Sequence, residues 1–171
     1  MKKLNLIAAA ILAVASSASM AAGSAADSFD VTITFTGSCS VKTAAADMAF
    51  TYASFDVAKS ANTSTVFKCS RGLTPTFAFD NTVGTSNGAQ ALATALSAEG
   101  VISGIRYTLG GTSSKSATGT AASAGVGGTG GSDGTADEYT VAISANIAGG
   151  QAGTGTGGSA VTQTRTLTIS Y

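Results

Sequence analysis

The run EYTVAISANI, Glu138 to Ile147, puts Tyr139, Val141, Ile143, Ala145 and Ile147 at every second position, with small or polar residues between them. Only an extended strand with one buried face gathers such residues on one side. The same period recurs in short runs along the chain. SFDVTITFTGSC carries Phe29, Val31, Ile33 and Phe35 against Asp30, Thr32, Thr34 and Thr36. MAFTY carries Met48, Phe50 and Tyr52; STVFKC carries Thr65, Phe67 and Cys69; TPTFAFD carries Phe77 and Phe79. GIRYTLG offers Ile105, Tyr107 and Leu109, and TQTRTLTISY aligns Leu167, Ile169 and Tyr171. About seven such runs with polar turns between them predict an all-β antiparallel sandwich. In AQALATALSAEG, Ala89, Leu92 and Leu96 stand near helical spacing, so either a helical turn or two or an irregular connection is expected there.

Two stretches supply almost no large apolar side chain: Gly110 to Asp137, and Gly149 to Ala160. Both are expected to be exposed loops within one domain, because strong strand patterns flank them. At the other extreme, Leu4 to Ala15 is apolar, follows Lys2 and Lys3, and is too short to cross a bilayer. With Ser19-Met20-Ala21 behind it, this reads as a signal peptide over 1–21. The remaining chain of about 150 residues suits one domain, and no later run is long enough to span a membrane.

Nine basic and nine acidic residues cancel and are scattered. No basic patch for nucleic acid or anionic lipid results, and near-zero net charge favours association. The two cysteines, Cys39 and Cys69, lie in the exported part, where an even pair reads as a disulfide. Closing that loop is worth about 3.5 kcal/mol on the chain-entropy account.

Catalytic chemistry finds little to work with. The chain has no His, which excludes Ser-His and Cys-His pairs and leaves two cysteines as a poor zinc site. Asp137 and Glu138 are adjacent, so on a strand they face opposite ways. Asp80 precedes Asn81 where turn chemistry accounts for it. GGTGGSDG, Gly127 to Gly134, resembles one copy of a calcium-binding glycine–aspartate repeat, which needs tandem copies. Asn62-Thr63-Ser64 matches the glycosylation acceptor pattern but also reads as a polar turn before a strand. Tyr52, Tyr107, Tyr139 and Tyr171 form either a binding surface or, on their apolar strand faces, core packing. No catalytic, cofactor or metal site is expected, and the chain is not read as an enzyme.

The segment from Phe29 to Phe35 leaves two readings open. It is an ordinary first strand of its own sandwich, or a strand for another molecule, since it carries none of the Lys, Pro or bulges that blunt an exposed edge. A self-sufficient secreted β-sandwich that binds through its Gly/Thr-rich loops is the function that follows from the first.

The order of these features resembles a family. An N-terminal alternating strand runs into TGSC, a second cysteine follows in STVFKC, and the chain ends on TRTLTISY with a terminal aromatic. The chain is similar to subunits of the archaic chaperone–usher pili, which carry the spore coat protein U-like domain. The resemblance implies an incomplete immunoglobulin-like antiparallel β-sandwich, completed by a donor strand from a neighbouring subunit. It implies a signal peptide at 1–21, a donor segment at 22–36 and a pilin domain at 37–171. Phe29, Val31, Ile33 and Phe35 would be the donor plugs. Leu167, Ile169 and Tyr171 would line the acceptor groove. The partners implied are identical or homologous pilin subunits, a periplasmic chaperone and an outer-membrane usher. The location implied is the cell surface, reached through the periplasm, and the role is a shaft subunit of a fibre serving adhesion or biofilm formation. Full burial of the four plugs is worth roughly 6–12 kcal/mol gross.

Overall fold

A computed structural model describes residues 26–81, 90–92, 96–125, 130–154 and 158–171. The expected signal peptide lies outside them. The chain divides into two units, one ending at Thr34 and one running from Phe35 to Tyr171. In the first, the described residues 26–34 form no strand and are exposed.

The second unit is all β; the described residues contain no helix. Its strands are β1 (Cys39–Thr43), β2 (Lys59–Cys69), β3 (Thr76–Asn81), β4 (Gln90–Leu92), β5 (Ser97–Ile102), β6 (Ile105–Ala117), β7 (Asp137–Ile147) and β8 (Leu167–Ser170). They form a five-stranded sheet, β1-β2-β7-β6-β5, and a three-stranded sheet, β4-β3-β8. Every pairing is antiparallel, and the arrangement is consistent with a β-sandwich.

The alternation that marks β7 does in three dimensions what it does on paper. Val141, Ile143, Ala145 and Ile147 are buried, and β7 pairs along its length with β2 on one side and β6 on the other. Phe67 on β2, Tyr107 and Leu109 on β6 and Ala98 on β5 extend that face. Phe77 and Phe79 come from β3 in the smaller sheet, and Phe77 meets Phe67 with ring centroids 5.4 Å apart. One apolar core thus joins the two sheets. Tyr107 lies opposite Gly100, where an added Cβ would stand 2.4 Å from the ring, so only glycine leaves room for the tyrosine.

Several expectations are corrected. Where the helical spacing fell, at 89–100, Ala89 lies outside the described residues; Gln90–Leu92 and Ser97–Gly100 belong to strands β4 and β5, because pairing with β3 and β6 satisfies their backbone, and Leu96 immediately precedes β5. The loop expected from Gly110 begins only after Ala117: Gly111 to Ser114 carry no large side chains, yet they continue the ladder to β7. Asn62-Thr63-Ser64 is not a turn but the middle of β2, opposite Ser144, Ile143 and Ala142. Met48, Phe50 and Tyr52 lie on no ladder. They still alternate half-buried with exposed Ala49 and Thr51 and pack against the core. Tyr171 is not a core residue; it is 60% exposed, just past the end of β8.

Candidate functional site

The open edges of the sheets are where backbone groups lack partners. In the smaller sheet β8 pairs with β3, Leu167 opposite Phe79 and Ser170 opposite Thr76, and among the described residues no strand lies on its other side. Leu167 and Ile169 are half-buried and pack against the core. An edge of this kind presents unpaired N–H and C=O groups beside an apolar surface, which is a template for another strand.

Arg165 fixes the entry to this edge. Its Nε donates to Asp80 Oδ1 at 2.8 Å and its Nη2 to the Asp80 carbonyl at 2.6 Å. Its Nη1 donates to the Glu99 carbonyl and to the Tyr107 hydroxyl, each at 3.0 Å. Asp80, expected to be explained by turn chemistry, is therefore a buried ion-pair partner instead. Arg165 shares the parity of Leu167 and Ile169, and that parity was the signal for its inward position.

The extended run from Met48 to Tyr52 has the same character as β8: apolar side chains on the core, no strand bonded to its backbone. It is tied at both ends. The Ala46 amide donates to Thr63 Oγ1 at 2.9 Å, and the Tyr52 hydroxyl donates to the carbonyls of Asp56 and Ala148 at 3.2 and 3.1 Å.

The four side chains expected to act as donor plugs are, with Phe55, Val57 and others, among the exposed large apolar side chains of the described residues. Phe29 is 86% exposed, Val31 75%, Ile33 83% and Phe35 76%. Among the described residues, neither sheet contains one from before Cys39. Large apolar side chains exposed together in this way are uncommon on a monomeric surface.

At Gly37 the chain becomes fixed. A Cβ there would stand 3.3 Å from both methyls of Leu73. The Ser38 amide donates to Ser70 Oγ at 3.0 Å, and the Ser70 amide donates back to the Ser38 carbonyl at 2.8 Å. Next, Cys39 and Cys69, directly opposed on β1 and β2 with Cα atoms 4.0 Å apart, form the expected disulfide.

Beside the disulfide lies a residue whose role the sequence reading missed. Asp137 pairs with Cys69 across the ladder and is fully buried. Lys115 Nζ stands 2.8 Å from its Oδ2, and the amides of Gly119 and Gly72 donate to it at 2.6 and 2.9 Å. The Lys115 ammonium, followed by these two N–H groups, holds its carboxyl down at about 2. The parity it shares with Tyr139 and Val141 pointed inward. Glu138, facing the other way as expected, pairs with Lys42 at 2.6 Å.

Among the described residues no group of three His, Cys, Asp or Glu side chains stands close enough to hold a metal ion. A shallow, open depression is lined by Lys59, Ser60, Arg106, Thr108 and Asn146. Its two cations are paired, Lys59 with Asp56 at 3.1 Å and Arg106 with Glu99 at 3.5 Å. No family model, curated protein or solved structure matches the chain.

Proposed function

We propose that this chain is a structural subunit of a bacterial surface pilus, polymerised by donating the segment Phe29–Phe35 to a neighbour. The observation that carries this reading is the pairing of opposites within one chain. Four alternating large apolar side chains stand exposed in a segment outside both sheets, and the last strand has an open edge over half-buried Leu167 and Ile169. A strand laid along β8 would bond its backbone to that edge and turn the plugs onto the core, with Asp30, Thr32, Thr34 and Thr36 outward. The immunoglobulin-like, incomplete sandwich of the archaic chaperone–usher pilins is the framework this implies. A chaperone would fill the edge in the periplasm, and an usher would exchange its strand for the next subunit's.

Donor and acceptor are different surfaces, so the contact is heterologous and propagates as an open filament rather than closing into a dimer. A single domain carrying both surfaces suits the shaft of a fibre. The rival reading is a self-sufficient secreted β-sandwich that binds through its Gly/Thr-rich loops. It requires no free edge and no exposed donor.

The two readings part on one experiment. Cells producing the chain with residues 22–36 deleted are imaged by negative stain beside cells producing the full chain. The pilus reading expects fibres only from the full chain, with the deleted protein still folded in complex with its chaperone. An unaltered full-length protein that purifies as a stable monomer and does not self-associate sinks the proposal.

A further inference from the structure

Phe55 is a phenylalanine in the left-handed backbone region, with φ at 65°. That conformation is an outlier for a bulky side chain and persists only where its surroundings impose it. The surroundings here are rigid. The Phe55 amide donates to the Gln151 carbonyl at 2.8 Å, the Gly150 amide donates to the Asp56 carbonyl at 2.9 Å, and Ser54 Oγ donates to the Ala152 carbonyl. Asp56 also pairs with Lys59 and accepts from the Val57 amide at 2.8 Å. Yet the side chain so placed packs on nothing in the core. Phe55 is 74% exposed and its loop neighbour Val57 70%. A strained, tightly held loop that displays two apolar side chains to water has the form of a contact surface.

Its position names the occupant. Just beyond the loop, Lys59 opens β2 opposite Ile147, which in turn lies opposite Tyr107 on β6. The Tyr107 hydroxyl meets Arg165, two residues before β8. Phe55 and the start of β8 therefore lie toward one end of the folded unit. Cys39, Cys69 and Asp137 lie at the other, toward which β8 runs, as the Phe77 ring beside Phe67 and Tyr139 marks. A strand added antiparallel to β8, the sense of every pairing in this chain, ends at the Phe55 end. Its last apolar residue is Phe35, and Cys39 opens the donor's own first strand four residues later, within about 13 Å. Gly37 and Ser38 already belong to the donor's domain through Leu73 and Ser70. The donor's domain has nowhere to stand except at that end.

We infer that the Phe55–Val57 loop is the seat of the next copy of this chain, a second contact between consecutive subunits that sets the angle between them. The inference rests on the strand-donation reading. It adds that successive domains bear on one another rather than swing freely about Thr36, between Phe35 and Gly37.

The test uses Phe55→Asn, because asparagine tolerates φ near 65° and removes the apolar surface. In a chain made unable to donate by Ile33→Asp, the added Phe55→Asn is expected to leave the melting temperature unchanged or raised. Affinity for a synthetic peptide of residues 26–38 should stay within twofold. In the otherwise unaltered full chain, Phe55→Asn is expected to lower the persistence length of the fibres severalfold in electron micrographs. Fibres of unchanged stiffness, with peptide binding intact, overturn the inference; so would a parallel donor, which puts the next domain at the disulfide end. A lower melting temperature makes Phe55 a residue of the fold and also overturns it. If the Ile33→Asp chain fails to bind the peptide and the unaltered chain forms no fibres, the pilus reading falls and takes this inference with it.

Discussion

The Asp137 carboxylate sits where no water reaches it, held by one ammonium and two backbone N–H groups. It joins three pieces of chain near the disulfide: the turn at Gly72, the end of β6 and the stretch at Gly119. Its ordinary value of 3.8 falls to about 2 on folding. A carboxyl depressed in the folded state binds its proton more weakly there than in the unfolded chain. Its contribution to stability is therefore complete above about pH 4 and is lost as pH falls toward 2. Melting temperature followed from pH 5 to pH 2 is expected to drop across that window, and Asp137→Asn is expected to start lower and flatten the profile. A variant with the same slope as the parent would place the acid sensitivity elsewhere. Gly100 makes a second point at this scale. Gly100→Ala drives a methyl into the Tyr107 ring, and overpacking of this kind costs about 1–3 kcal/mol in a denaturant titration. Neither residue stood out in the sequence as a side chain. Asp137 looked like half of an acidic pair, and Gly100 like one small residue among many.

Elements whose apolar residues alternate were legible; elements whose ladders are made by small polar residues were not. β7 and β2 could be read directly because Val141, Ile143, Phe67 and Cys69 must face one way to leave water. The far half of β6 could not, since Thr112, Ser113 and Ser114 bury little and are held in line by β7. Residues 48–52 show the converse: the pattern is that of a strand, but among the described residues no strand pairs with them. β1 is a further case. It is short, Val41 on it is 59% exposed, and its pairing to β2 is reinforced by the Cys39–Cys69 bond. Replacing both cysteines by serine is expected to lower stability by about 3.5 kcal/mol in reversible chemical unfolding. The amides of β1 should gain the largest share of faster hydrogen exchange, because little else holds that edge strand. Uniform acceleration over the whole larger sheet would show instead that the bond supports the sandwich globally.

For the molecule as a whole, the proposed donor is easier to mark in the sequence than the proposed acceptor. Phe29, Val31, Ile33 and Phe35 stand out by their alternation, although alternation alone fits an ordinary first strand as well. The receiving edge is a property of what β8 lacks, and a missing neighbour leaves no residue behind to be read. That asymmetry has a thermodynamic consequence. A fold with an open edge is stabilised by any strand that binds the folded state and not the unfolded one. The Ile33→Asp chain cannot donate but keeps β8 intact, and since Ile33 is 83% exposed its own fold should not suffer. Adding the peptide 26–38 at a free concentration one hundred times its Kd is expected to stabilise that chain by about 2.7 kcal/mol. For a domain of this size that raises the melting temperature by roughly 10 °C. The same peptide carrying Ile33→Asp should produce no shift, because its third plug would bring an unpaired charge onto the core. Placing Ile169→Asp in the receiving chain should also remove the response to the unaltered peptide. If both peptides shift the melting temperature equally, the plugs do not enter the edge, and the exposed segment must serve some other surface.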